Sequence, residues 1–334
     1  MVAIIVEDSD LVFYYTGYRV DDGFAVILSN ETHLLTDMRY YYAITPTNKL
    51  KVHLTSNVTI LGLLKELKVS EVGLVLEHTS AKLYSELVSN GFKVYDASAV
   101  HYKKASVKNK NELELLKRSA SVCENALINV IPLIKEGVTE LEIAGAIEYE
   151  FKKLGAVKPS FETIVAFGEG SAIPHYQTSS VKLKKNVPIL IDFGCIYGGY
   201  ASDMTRTFYY GAPSCEFERR YGLVLSAHEL AVNFIRAGVT GAEADGCVRK
   251  YFESCGISNN FTHSLGHGVG VKVHEEPRLS RLNESELENG NVFTIEPGLY
   301  FDGEYGIRIE DTYALLNGVP TSLFTIDKKL KIIQ

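Results

Sequence analysis

The sequence lacks an apolar run long enough to span a bilayer, and it lacks a basic-then-apolar leader. Met1 to Ile5 is followed at once by Glu7, Asp8 and Asp10. Membrane insertion and export are therefore not expected, and the chain reads as cytoplasmic. A framework of paired cysteines is lacking too. The five present (Cys123, Cys195, Cys215, Cys247 and Cys255) are odd in number, and none has the Cys-x-x-Cys spacing of a zinc or redox site. Reduced, buried thiols are expected. Positive charge is also short: a net charge of −7 offers no bulk attraction to nucleic acid or to an anionic membrane surface. A small-molecule partner is the remaining expectation.

What is present is the composition of a globular protein, 46% hydrophobic and 22% charged. A chain of 334 residues exceeds one ordinary core, so two domains are expected. The N-terminal part, residues 1–107, reads as a small α/β domain. Phe24 to Leu28 and His33 to Leu35 flank Ser29-Asn30-Glu31-Thr32, which is a hairpin signal. Val58 to Lys68 and Ala81 to Asn90 have helical spacing, the latter stopped by Gly91, and Val72 to Leu76 and Phe92 to Tyr95 read as strands. The Asp37 to Tyr42 cluster, Asp-Met-Arg-Tyr-Tyr-Tyr, is either a packing or interface element or a binding surface. Tyr102 to Lys110 is charged and aperiodic, which sets the boundary of a second domain over residues 108–334.

That second domain repeats itself. Lys135-Glu136-Gly137-Val138-Thr139-Glu140-Leu141-Glu142 has its echo in Arg236-Ala237-Gly238-Val239-Thr240-Gly241-Ala242-Glu243, at an offset of 101 residues. In each, a helix ends at a glycine and the next begins with a Thr-x-x-Glu capping box. The second helix of each pair stops at the same offset, at Leu154-Gly155 and Cys255-Gly256. A duplicated fold is the simplest explanation, with chance recurrence of common capping signals the alternative, and the same offset brings Ile191-Asp192-Phe193-Gly194 close to Thr294-Ile295-Glu296-Pro297-Gly298.

Carboxylates terminate the apolar strands of both halves. Asp192 closes the run from Pro188, and Tyr197-Gly198-Gly199-Tyr200 reverses the chain into a second strand, Ala201 to Tyr209, that carries Asp203. A buried carboxylate is costly unless it is paired, hydrogen-bonded or bound to a metal. A lone aspartate capping a loop is the plain alternative; two facing each other across a hairpin favour a cation. In the second half Glu296 ends Val292-Phe293-Thr294-Ile295, and Gly306 to Asp311 reads as an alternating strand with Glu310 beside Ile309. His267 lies between Gly266 and Gly268, which allow close backbone approach to a ligand. Four carboxylates and one imidazole suit two hard or borderline divalent ions, Mn²⁺, Co²⁺ or Fe²⁺, better than one tetrahedral structural zinc. Such ions, ~3.5–4 Å apart, hold a hydroxide between them and assist hydrolysis.

The stretches Asp192-Phe193-Gly194, Ser202-Asp203-Met204-Thr205-Arg206-Thr207, Gly266-His267-Gly268-Val269-Gly270, Val273-His274-Glu275-Glu276-Pro277, Thr294-Ile295-Glu296-Pro297-Gly298 and Arg308-Ile309-Glu310-Asp311 resemble those of the pita-bread metallopeptidases. The Xaa-Pro dipeptidases (prolidases) and aminopeptidases P are the most similar branch. The resemblance implies an α/β (α+β) protein, with a pita-bread domain of internal pseudo-two-fold symmetry following the N-terminal domain. It implies metal ligands Asp192, Asp203, His267, Glu296 and Glu310, with Asp203 and Glu310 bridging two divalent ions, zinc being a further candidate metal. Glu296 would also shuttle a proton, and His274 would stabilise the oxyanion. His175, His263 and His274 would line the substrate side, His175 counting with Glu296 and His274 as a catalytic candidate. Arg308 would either orient a ligating carboxylate or clamp the substrate carboxylate.

The implied activity is hydrolysis of the bond before proline in an Xaa-Pro dipeptide by a homodimer. Aminopeptidase P action on longer peptides is the alternative. Methionyl aminopeptidases share the metal motifs, but they carry a different stretch at Pro174-His175-Tyr176 and generally lack the N-terminal domain. Creatinase-like enzymes and non-enzymatic relatives share the fold, and the latter have lost ligands that are intact here.

Overall fold

The computed structural model describes all of residues 1–334, which divide into two compact units, Met1–Lys104 and Ala105–Gln334. No helix is long and apolar enough to cross a membrane. The first unit holds six strands, β1 (Val2–Val6), β2 (Gly23–Ile27), β3 (Thr32–Thr36), β4 (Leu50–Leu54), β5 (Glu71–Leu74) and β6 (Lys93–Asp96), in the sheet order β4-β3-β2-β1-β5-β6. The hairpin pairs β2 with β3 in antiparallel register, Phe24 opposite Leu35. Pairs β1–β5, β5–β6 and β3–β4 are parallel.

Four α-helices lie within this unit, α1 (Ser9–Thr16), α2 (Met38–Tyr41), α3 (Ile60–Glu66) and α4 (Ala81–Ser89), and α5 (Ser98–Ser106) runs through its last residues. Side chains alternate across the strand β1, so Ala3 and Ile5 join a core with Leu63, Leu64, Leu83 and Leu87, while Val6 joins another with Leu11 and Val12. The Asp37 cluster is a local cap. Asp37 accepts the Arg39 N–H at 2.8 Å and pairs with the Arg39 guanidinium, which also reaches Asp22. The aperiodic stretch from Tyr102 proves largely helical. It ends α5, and Asn109 then caps the next helix by a capping box with Glu112. One helix ends and another starts within these nine residues, which is why the stretch shows no single periodicity.

In the second unit, helices α6 (Lys110–Val130) and α7 (Glu140–Lys153) accompany β7 (Lys158–Pro159), β8 (Ile164–Phe167), β9 (Val187–Phe193), β10 (Cys195–Tyr197), β11 (Tyr200–Ala201) and β12 (Met204–Tyr210). The following half contains α8 (Cys215–Phe234), α9 (Gly241–Ser254), β13 (Gly266–Gly268), β14 (Glu275–Leu279), β15 (Val292–Ile295), β16 (Gly298–Phe301), β17 (Tyr305–Arg308), β18 (Asp311–Leu316), β19 (Val319–Ser322) and β20 (Ile332–Ile333). Thr139 and Thr240 make reciprocal capping boxes with Glu142 and Glu243 at the starts of α7 and α9. Gly137 and Gly238 precede them with positive φ of 87° and 91°.

The duplication is one pattern of strands used twice. In the first half β9 pairs antiparallel with β12 and continues past Gly194 into β10, which pairs with β11. In the second, β15 pairs with β18 and continues past Pro297 into β16, which pairs with β17. The chain thus leaves one sheet for another at four junctions. The strand anticipated from Ala201 accordingly breaks at Ser202-Asp203, and the one anticipated over Gly306 to Asp311 breaks at Ile309-Glu310. At Gly194 a Cβ would collide with the Ser202 backbone carbonyl, so the crossing of β10 over this return requires glycine. The two halves are stitched by Thr312 Oγ1 donating to the Asp203 carbonyl at 2.9 Å, Thr207 Oγ1 to the Arg308 carbonyl at 2.9 Å and a fully buried Arg206–Asp311 pair at 2.7 Å.

All five cysteines are free, with Cys123 and Cys195 buried as anticipated. Cys215 is not. It is the first residue of α8 after the Ser214 cap and lies exposed, while Cys247 and Cys255 are half-buried.

Candidate metal centre

The four junctions between sheets bring the carboxylates together. Asp192 is the penultimate residue of β9 and Asp203 immediately precedes β12; Glu296 follows β15 and Glu310 precedes β18. Strand ends are where a side chain can leave the pleated ladder and turn into a cavity while its backbone stays anchored. Ligand atoms of Asp203, His267 and Glu310 all lie within 4.8 Å of one another. His267 Nε2 is 3.5 Å from Asp203 Oδ2 and 3.4 Å from Glu296 Oε1. Its Nδ1 lies 3.1 Å from the Gly268 carbonyl. A carbonyl only accepts, so Nδ1 carries the proton and Nε2 presents its lone pair to the carboxylates, the tautomer a metal requires.

Burial makes this cluster electrostatically expensive. It holds Asp203 and Glu310 well above the usual carboxylate range, and neighbouring carboxylates push in the same direction. Glu296 is raised to about 8, chiefly by burial, with Arg308 opposing. Burial pulls His267 down to about 3, so its imidazole is neutral. Carboxylates so placed must share protons or a cation. Asp192 Oδ1 is buried without a hydrogen-bond partner, although Oδ2 accepts from Arg308 Nη2 at 2.5 Å. An unpaired buried carboxylate oxygen, three further carboxylates and one oriented imidazole fit a divalent cation.

Two threonines missed by the sequence reasoning hold the ligands still. Thr205 Oγ1 accepts from Arg308 Nε at 3.0 Å and donates to Glu310 Oε2 at 2.6 Å. Thr294 Oγ1 accepts the His267 backbone N–H at 3.1 Å and donates to Glu296 Oε1 at 3.1 Å. Each takes a proton donor on one side and passes its hydroxyl hydrogen to a carboxylate on the other. The available signal was the spacing of a strand threonine two positions from a carboxylate, at Asp203 and Thr205 and again at Thr294 and Glu296.

All nine residues singled out from the sequence line one cavity of about 480 Å³. His175 and His274 are exposed to it, and the His274 ring stands edge-on to His267 with centroids 4.3 Å apart. Burial and then the Arg278 charge depress the His274 imidazole below its ordinary range. His263 Nδ1 lies 2.8 Å from the Ser264 carbonyl, so Nε2, 2.8 Å from Tyr300 Oη, is the acceptor. Tyr300 in turn accepts from Arg308 Nη1 at 2.7 Å. The remaining wall includes Phe161, Tyr176 and Arg278, which the sequence reasoning did not mark.

Residues 114–316 match the family model described as metallopeptidase family M24, and residues 1–103 match that of the creatinase/prolidase N-terminal domain. The Xaa-Pro dipeptidase of Pyrococcus furiosus is 31% identical over 332 residues, covering 96% of this chain and 92% of that protein. The X-Pro aminopeptidase structure from Thermotoga maritima superposes with a TM-score of 0.93 at 31% identity, covering 100% of this chain and 98% of that one. The Xaa-Pro dipeptidase structure from Bacillus anthracis also gives 0.93, at 30% identity over 99% of this chain and 95% of that one.

Proposed function

The chain belongs to metallopeptidase family M24, and from that premise we propose that it hydrolyses the peptide bond before proline in Xaa-Pro dipeptides, using two divalent cations. The observation that carries this reading is the cluster of Asp203, Glu310 and the oriented His267 imidazole, with Asp192 and Glu296 beside it on the wall of a cavity of a size suited to a dipeptide. Similarity to proteins named Xaa-Pro dipeptidase supports the substrate class.

Bound cations, for which Mn²⁺, Co²⁺ and Fe²⁺ suit this donor set with zinc as a further candidate, would lower the pKa of water and polarise the scissile carbonyl. Asp192, Asp203, His267, Glu296 and Glu310 would hold them. Glu296, whose Oε1 is held by the Thr294 hydroxyl, would take the proton from water and return it to the proline nitrogen. His274 stands beside His267 at the cavity wall and donates to the developing oxyanion. His175 and His263 contact the peptide. Arg308 orients Asp192: its donors reach Asp192, Thr205 and Tyr300, leaving little of the guanidinium for a substrate carboxylate.

The likeness to an X-Pro aminopeptidase favours a second reading, action on longer peptides. Initial rates on Ala-Pro and Ala-Pro-Ala, with Mn²⁺ or Co²⁺ added to metal-depleted protein, separate the two. The dipeptide is expected to be cleaved much faster, and amidating its carboxylate should cost at least the ~1.5–3 kcal/mol of a hydrogen bond to a charged group. Equal rates on dipeptide and tripeptide would reassign the chain to aminopeptidase P, and no cleavage of either would remove the proposal. A cytoplasmic homodimer completes it, to be checked by light scattering of the purified chain.

A further inference from the structure

Lys108 is a buried cation far from the carboxylate cluster in sequence, and the mechanism above does not use it. Its ammonium group, on a side chain only 1% exposed, donates to Glu275 Oε2 at 3.1 Å. A lysine is seldom this deeply buried without a purpose, because removing an ammonium ion from water is repaid only by a well-placed partner. Its backbone is fixed as well: the Lys108 N–H donates to the Gly290 carbonyl at 2.8 Å, beside the Val107–Asn291 bridge.

Glu275 follows His274 and begins β14. Its second oxygen accepts the Lys272 N–H at 2.9 Å, so one carboxylate closes the turn between β13 and β14 from inside. Gly270 makes room for it, since a Cβ there would collide with the Glu275 carboxylate. The same turn is held by Gly270 N–H to the Lys272 carbonyl at 2.9 Å and by Ala201 N–H to the Gly270 carbonyl at 2.8 Å. Ala201 lies two residues before Asp203. The turn that carries His274 is therefore tied both to β11, just ahead of Asp203, and, through Glu275, to Lys108.

We propose that Lys108 is a positioning residue, acting through Glu275 to hold the 270–275 turn and so set the His274 imidazole against the cavity. The inference rests on the role given to His274 above. In the full chain loaded with Mn²⁺, K108M should lower kcat on Ala-Pro by roughly ten- to a hundredfold, the scale of a misplaced catalytic group, with little change in bound metal. In an H274A background the same substitution should lower kcat no further, because its route of action has been removed. In metal-free protein labelled with ¹⁵N-histidine, K108M should shift the His274 imidazole resonances, assigned by their loss in H274A, and leave those of His228 in place. Should K108M fail to fold, E275Q, which keeps an oxygen for the Lys272 N–H while weakening the partner of Lys108, carries the same test. Multiplicative losses in the double variant or an unmoved His274 resonance would overturn the proposal. If the peptidase reading itself fails, no turnover is seen in any variant, yet the resonance shift still tests the link from Lys108 to His274.

Discussion

A half-buried carboxylate and a buried histidine illustrate how environment sets the behaviour of single residues here. Glu296 sits with its Oε1 on the Thr294 hydroxyl and 3.4 Å from His267 Nε2. Glu296→Gln keeps the shape and one oxygen but cannot accept and release a proton near neutrality, so kcat on Ala-Pro should fall ~10²-fold or more. Some metal should be retained, as read by mass spectrometry; near-normal kcat with two metals bound would count against the proton role. His228 lies away from the cavity, 1% exposed and 3.4 Å from Tyr313 Oη. Burial lowers its pKa to about 3; Asp311 opposes this, while Lys328 and Arg206 add to it. The folded value lies below the unfolded one, so its contribution to stability is full above pH ~6.5 and is lost as pH falls toward 3. His228→Gln does not titrate there. Over that window its unfolding free energy should depend on pH less steeply, by up to one proton or ~1.4 kcal/mol per pH unit, as read from urea denaturation at successive pH values. Parallel slopes for the two proteins would exclude His228 as a source of the acid sensitivity.

At the scale of elements, the duplicated helix starts were legible because capping is local. Thr139 and Thr240 bond to Glu142 and Glu243 three residues on, and each box can be read within its own segment. Thr139→Ala and Thr240→Ala should each destabilise the fold by ~1 kcal/mol. The double variant should lose nearly the sum, since the two caps serve separate helices. Denaturant midpoints of the three proteins check this, and a change well below the sum would reveal coupling between the repeats. The strand breaks at Asp203 and Glu310 were not legible. Ala201 to Tyr209 follows a glycine reversal and Gly306 to Asp311 alternates, so each reads as a single strand, and only the partner each portion finds shows where the chain passes from one sheet to another. The carboxylates lie at those transfers because a side chain there escapes the ladder.

For the whole molecule, the central expectation concerns metal removal. Four carboxylates crowded into a buried pocket repel one another, and a bound cation relieves this only in the folded state. Exhaustive chelation should abolish turnover and lower the melting temperature of the Ala105–Gln334 unit, both restored by Mn²⁺. Binding at about a hundred times Kd contributes ~2.7 kcal/mol, enough to register by scanning calorimetry. Undiminished turnover after chelation would sink the metal-dependent reading. The sequence by itself determined the features that depend on near neighbours: the hairpin around Asn30, the paired capping boxes, the glycine reversals, and the spacing of Asp192, Asp203, His267, Glu296 and Glu310. Tertiary structure alone decided how the side chains are paired. Thr205 and Thr294 relay hydrogen bonds to Glu310 and Glu296, Arg308 is engaged with Asp192 and Tyr300, and Lys108 reaches Glu275 across 167 positions of sequence. A hydroxyl, a guanidinium or an ammonium group has many acceptable partners in a sequence, and which one it meets is fixed only when distant segments pack into the same buried space.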